Sequence, residues 1–173
     1  MEPNTVENGE FQIKAGRAED CQRVFDLIME LAIYEKLESL VVGNADMLRQ
    51  WAFGENKVIY INCGWLNGEI IGYSLHFLNF STFLCRPGIY LEDIYVQPAY
   101  RGRKYGKALL LNLCKIAKEK GYGRVEWQVL DWNAPSIKFY ESLGAKPQKE
   151  WIQYRLIQEQ FDKLAKDFDE NKY

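Results

Sequence analysis

Apolar and polar residues alternate over Phe11–Lys14, the period of a half-buried strand. The period then lengthens. Val24, Leu27, Ile28 and Leu31 recur at helical spacing and predict a helix with one apolar stripe. Asp20 stands near its start, where a negative charge suits the helix dipole. Met47–Phe53 reads as a shorter helix capped by Asn44. Two strands follow, Val58–Leu66 and Ile70–Phe80, joined by Asn67-Gly68, a strong hairpin signal. After a loop around Arg86-Pro87-Gly88, Ile89–Val96 reads as a strand halted by Pro98. Leu109, Leu110, Leu113, Ile116 and Ala117 mark the buried stripe of a helix from Lys104 to Lys120, stopped by Gly121. A strand over Val125–Leu130 and a helix over Ala134–Leu143, closed by Gly144, come next. A last strand, Trp151–Ile157, and a terminal helix, Glu159–Lys166, complete the pattern. The order β-α-α-β-β-β-α-β-α-β predicts a mixed α/β fold of the α+β type, one sheet with helices packed against it.

The length, 173 residues, suits one domain over 11–168, with a disordered leader over 1–10 and a tail over 169–173. A net charge of −2 argues against nucleic acid as partner, because phosphate binding needs a basic face. No apolar run approaches the ~20 residues of a membrane span, and no apolar signal stands at the start. A cytoplasmic protein without a membrane partner is therefore expected. Cys21, Cys63, Cys85 and Cys114 are scattered and form no metal-ligating pair, so reduced core thiols and no metal are expected. His76, the single histidine, reads as a packing residue within its strand. Trp51, Trp65, Trp127 and Trp151 read as core or interface.

The most informative segment is Leu91-Glu92-Asp93-Ile94-Tyr95-Val96-Gln97-Pro98-Ala99-Tyr100-Arg101-Gly102-Arg103-Lys104-Tyr105-Gly106. A strand enters a basic loop that opens a long helix. The first turn of a helix offers free N–H groups and the positive end of a dipole, an anion site. Arg101, Arg103, Lys104 and Lys107 add charge, and Gly102 and Gly106 let backbone approach a phosphate. On the residues alone, phosphate binding and an ordinary basic loop both remain open.

This stretch resembles the cofactor motif of the GNAT acetyltransferases, Arg/Gln-x-x-Gly-x-Gly/Ala, through Arg101 and Gly106. Lys104 departs from it, standing where the first motif glycine is expected. Tyr90-Leu91-Glu92-Asp93, Trp132-Asn133-Ala134-Pro135-Ser136-Ile137-Lys138-Phe139-Tyr140 and Leu143-Gly144-Ala145 resemble the diamine acetyltransferase branch, which holds the spermidine/spermine and thialysine enzymes. The resemblance runs from about Phe11 to the last strand. It implies the GNAT fold, a mixed, mostly antiparallel sheet splayed at the cofactor site. It also implies acetyl-CoA as cosubstrate, a small-molecule amine acceptor and a homodimer built through the C-terminal strands and helix.

The same resemblance assigns roles. Tyr140 is the general acid for the CoA sulfur, and Glu92 the base or amine anchor. Ile94, Tyr95 and Val96 hold the acetyl carbonyl and pantetheine arm through backbone, with Arg101, Gly102, Arg103, Lys104, Tyr105, Gly106 and Lys107 at the phosphates. Asn133 holds pantetheine amides, beside Pro135, with Ser136 capping the helix. Strand alternation sends neighbouring side chains to opposite faces, so Asp93 joins Glu92 at the site only if a bulge breaks it. The resemblance implies such a bulge.

Tyr34 and Glu35 match the Tyr-Glu pair after the first helix, and Trp127 and Gln128 lie on the strand next to the cofactor region. The loop Asn79-Phe80-Ser81-Thr82-Phe83 resembles the thialysine-type enzymes, with Ser81 and Thr82 as substrate contacts. Trp151-Ile152 stands where the polyamine enzymes carry acids, and fewer acids attract a second ammonium less. Thialysine, a lysine analogue or a short diamine is thus expected ahead of spermidine or spermine. A protein acetyltransferase, an acyl-CoA-binding module without catalysis and a structural or interaction domain are the remaining readings.

Overall fold

The structure, a computed structural model, describes residues 9–171. The expected leader over 1–10 lies largely outside the described residues, as does the end of the expected tail. The contacts divide the chain into two compact units, one up to Gln128 and one from Val129.

The first unit is built on a five-stranded sheet. Its strands are β1 (Gln12–Ala15), β2 (Tyr60–Leu66), β3 (Glu69–Ser81), β4 (Arg86–Val96) and β5 (Val125–Trp127), ordered in space as in sequence. The first four pair antiparallel and β4–β5 pairs parallel, so the sheet is mixed and mostly antiparallel. Asn67 and Gly68 both take positive φ, 52° and 84°, the conformation of a two-residue hairpin turn.

Helices α1 (Cys21–Glu35) and α2 (Ala45–Phe53) cover one face of the sheet. Val24, Leu27 and Ala52 bury there against Ile61, Cys63, Tyr73, Leu75 and Tyr95. Asn44 caps α2 as expected, its Oδ1 accepting the Met47 N–H at 2.9 Å. The long helix α3 (Tyr105–Lys120) buries Leu109, Leu110, Leu113 and Ala117. It packs against β3 and β4, with Gly106 near Val96, whose side chain leaves β4 on the face opposite Tyr95. No helix among the described residues is long and apolar enough to cross a membrane.

Several boundaries differ from the pattern. Arg86-Pro87-Gly88 is strand rather than loop, because Phe80 and Ser81 pair with Pro87 and Arg86 and extend the β3–β4 ladder. The fifth strand stops at Trp127, where its pairing to β4 ends. Lys104 lies outside α3 as its cap. Cys21 and Cys63 are buried thiols, but Cys85 and Cys114 are exposed, the first in a turn and the second on the outer side of α3.

The second unit holds α4 (Ala134–Ser142) and α5 (Gln158–Glu170). The expected strand over 151–157 is not formed. The segment carries the apolar residues of a strand but no ladder, and Trp151 and Tyr154 are 74% and 89% exposed. The terminal helix starts near its expected residue and runs on to Glu170, into the segment read as tail.

The buried stripe of α3 gives a direct test. Leu113→Ala should cost ~2–5 kcal/mol in chemical denaturation. Leu111→Ala, on the exposed side of the same helix, should stay within ~0.5 kcal/mol.

Candidate active site

The site is organised by the far half of β4. β5 pairs only with Ile89, Tyr90 and Leu91. From Glu92 to Val96, β4 continues without it, so alternate N–H and C=O groups on that side have no strand partner. At the same point the β3–β4 register shifts. His76 pairs with Leu91, and the next β3 residue back, Leu75, pairs with Asp93. Glu92 is the extra residue of a β-bulge. Leu91 and Asp93, two apart on one strand, therefore face opposite sides of the sheet. The bulge turns Asp93 onto the α1 face and leaves Glu92 exposed.

Asp93 meets Tyr73 there. The Tyr73 hydroxyl donates to Asp93 Oδ2 at 3.3 Å from a fully buried ring. Burial first, then the neighbouring charge of Glu92, push the Asp93 carboxyl up to about 6. The Tyr73 hydrogen bond opposes them, and Glu35 adds a smaller upward push. Burial likewise raises the Glu35 carboxyl, at the end of α1. Two acids from two elements, Glu92 of β4 and Glu35 of α1, thus bear on the Asp93 carboxyl. A buried acid raised further by neighbouring acids is a candidate for a functional site.

On the same face the Tyr95 ring is in the core, and its hydroxyl donates to Glu30 at 3.2 Å. Any role of Tyr95 at a cofactor therefore falls to its backbone. Arg101 donates its Nε–H to the Val96 carbonyl at 2.9 Å, and its guanidinium lies 4.9 Å and 5.3 Å from the Tyr34 and Tyr95 rings. It fastens the loop to the end of β4, leaving Arg103, Lys104 and Lys107 as exposed cations around the start of α3.

Lys104, in place of the motif glycine, is the cap of α3 with φ 65° and ψ 11°. That left-handed backbone is where glycine sits without cost, which is the physical reason for a glycine in the motif. Gly102, two residues earlier, has φ 80°. An exposed basic loop ending on the first turn of a sixteen-residue helix fits a polyphosphate such as that of CoA. The Tyr105 ring stacks on Phe11 at 4.2 Å.

The remaining residues are placed as follows. Ser81 is buried and its Oγ accepts the Leu84 N–H at 3.2 Å, holding the turn between β3 and β4, while Thr82 is exposed. Trp127 ends β5 half-buried, followed by exposed Gln128. His76 is buried and stacks 5.3 Å from Tyr60; burial, with Lys57 nearby, lowers its imidazole to about 4, so it is neutral.

In the second unit Asn133 is the cap of α4, its Oδ1 accepting the Ser136 N–H at 3.3 Å. Ser136 was expected to cap. The helix instead begins at Ala134, which puts Ser136 at its third position and Asn133 at the cap. Pro135 lies in the first turn, and Tyr140, half-buried, packs its ring 5.3 Å from Phe139. Tyr73 was missed by sequence reasoning, since nothing marks a strand tyrosine as the partner of an acid twenty residues on.

A model of the acetyltransferase (GNAT) family matches residues 21–145. The chain belongs to this family. It is 35% identical over 168 residues to the thialysine N-epsilon-acetyltransferase of Sus scrofa, covering 88% of this chain and 96% of that one. It is 30% identical over 166 residues to spermidine/spermine N(1)-acetyltransferase-like protein 1 of Homo sapiens, covering 90% of this chain and 24% of that one. An integron cassette protein of V. cholerae shares the fold at a TM-score of 0.76 with 23% identity, over 90% of this chain and 98% of that one. The GNAT fold expected from the motif is the fold observed.

The strain at Lys104 is measurable. Lys104→Gly should raise stability by about 1 kcal/mol, the relief of a left-handed non-glycine residue less the added freedom of the unfolded chain. Thermal unfolding of the two forms checks it.

Proposed function

We propose that this acetyltransferase moves the acetyl group of acetyl-CoA to the primary amine of a small molecule: thialysine, a lysine analogue or a short diamine. The observation that carries the reading is a group of acids: Glu92 and Asp93 on the strand that leads into the basic start of α3, and Glu35 at the end of α1, which bears on Asp93. Acids attract an ammonium, and a basic helix start attracts phosphate. The relatives named for thialysine, matched over nearly their whole length, support the acceptor. A spermidine or spermine acceptor is the second reading, supported by the human relative's name.

Acetyl-CoA supplies an activated acyl group as a thioester. The loop 101–107 holds its phosphates, with Arg103, Lys104 and Lys107 giving charge and the first turn of α3 giving N–H groups. The backbone of Ile94 and Val96, on the half of β4 that β5 leaves free, binds the acetyl carbonyl and the pantetheine arm. Asn133 caps the helix that carries Tyr140.

An alkyl ammonium, with a pKa near ~10.4, is charged at neutral pH and must lose a proton before attack. Glu92 accepts that proton, directly or through water. The amine nitrogen then bonds to the thioester carbon and the C–S bond breaks. Tyr140 gives its proton to the departing sulfur; the second proton of the acetylated nitrogen passes through water to Tyr140, and Glu92 releases its own to solvent. The products are the N-acetyl amine, CoA thiol and one proton.

We further propose a homodimer formed through the C-terminal segment. Its support is the exposed apolar run Trp151, Ile152, Tyr154, Leu156 and Ile157, followed by Phe161, Leu164 and Phe168 on one stripe of α5. Sedimentation should give twice the chain mass, and a form ending at residue 150 should sediment as a monomer.

A CoA-release assay with thialysine, lysine, putrescine, spermidine, spermine and a histone-tail peptide tests the reaction. Turnover should be fastest on thialysine or a short diamine, and Tyr140→Phe should lower kcat by ~10²-fold or more. Preference for spermine sinks the short-acceptor reading. CoA binding with no turnover on any amine turns the reading to a CoA-binding module without catalysis.

A further inference from the structure

We propose that Tyr73 is a positioning residue for amine capture: its buried hydroxyl holds the Asp93 carboxylate in one orientation, and Asp93 so held receives the substrate ammonium. This rests on the amine-acetylating function proposed above.

Tyr73 lies in the core cluster between α1 and the sheet, among Val24, Leu27, Cys63 and Leu75. A phenylalanine would fill that space equally well. A buried hydroxyl costs free energy unless it is bonded, and here it donates to Asp93 Oδ2 at 3.3 Å. The geometry depends on the bulge, since without the extra residue Glu92 the Asp93 side chain would leave β4 on the opposite face. A core residue thus reaches up to one acid of the cluster and no substrate contact of its own is needed.

The groups that bear on this carboxyl are few. Glu92 on β4 and Glu35 on α1 disfavour its charge, and the Tyr73 hydroxyl favours it. Tyr95, next but one on β4, acts on Tyr73, and is itself tied to Glu30 of α1 and faced by Arg101. Burial and the Asp93 charge hold the Tyr73 phenol well above its usual value, so it remains a donor across the working range. Asp93 is raised to about 6, and the carboxylate is the form that binds ammonium. Capture is therefore lost as pH falls through that value. Removing the Tyr73 hydroxyl takes away the one group that lowers it, so the loss should begin at higher pH.

The test uses Tyr73→Phe, Asp93→Asn and the double variant, with amine KM and kcat measured from acid to neutral pH at saturating acetyl-CoA. Carboxyl carbon NMR follows the Asp93 titration in the wild type and in Tyr73→Phe without substrate. In Tyr73→Phe the Asp93 midpoint should move up, and the amine KM near neutral pH should rise about tenfold, the scale of a hydrogen bond to a charged group, with kcat nearly kept. In the Asp93→Asn background the same change should have no further effect. An unmoved midpoint, or an equal effect of Tyr73→Phe with and without Asp93, overturns the proposal. A wild type that turns over no amine overturns the function above instead, while the titration still decides whether Tyr73 governs Asp93.

Discussion

Strand β4 is paired along its whole length with β3 but only at its first half with β5, and one residue too many sits in the β3 ladder where β5 ends. That mismatch organises the first unit. The loss of β5 leaves backbone polar groups of Glu92–Val96 without a strand partner, which would be costly in a closed core and is useful beside a ligand. The extra residue breaks the alternation of faces, so Asp93 turns toward α1 while Glu92 remains exposed. The two consequences fall at the same point of β4, one from each of its ladders. Moving the bulge by one residue would exchange the faces of the two acids.

The loop after β4 is shaped by a second constraint, the left-handed backbone at Gly102 and Lys104. It ends the loop on the first turn of α3, whose free N–H groups and dipole then add to the lysine and arginine charges. Arg101 is set apart from those charges. Held to the Val96 carbonyl and over two tyrosine rings, it ties the loop to the end of the strand that carries the acids. Cationic loop and acidic strand are thus joined by a residue that belongs by charge to the first and by contact to the second.

Electrostatics at the acids follows from packing. Asp93 is pushed up chiefly by burial and Glu35 by burial alone. The burial that disfavours each carboxylate also strengthens its attraction for an arriving cation, because less water screens the pair. Among the described residues the Tyr73 hydroxyl is the one favourable partner in that balance, and it comes from the hydrophobic core.

Period and turn chemistry were enough to write down most elements, because apolar spacing, the Asn67-Gly68 turn and the Gly121 stop are local signals. The strings around Glu92, Arg101 and Tyr140 were enough for the family and for the candidate chemistry. What the chain alone could not settle depends on residues that meet from far apart. The bulge at Glu92 is a property of the β3–β4 register, and Tyr73 becomes the partner of Asp93 only through that register. Arg101 reads as one more loop charge until Tyr34 and Tyr95 are placed beside it. Ser136 and Asn133 exchange the capping role because a helix start is fixed by backbone geometry to the residue. The segment 151–157 has the composition of a strand but no ladder, since a strand exists only where a neighbouring edge accepts its hydrogen bonds. Sequence determines which residues prefer which backbone and which chemistry they carry; the tertiary structure decides which of them share a face, because pairing register and packing are set by the whole sheet at once.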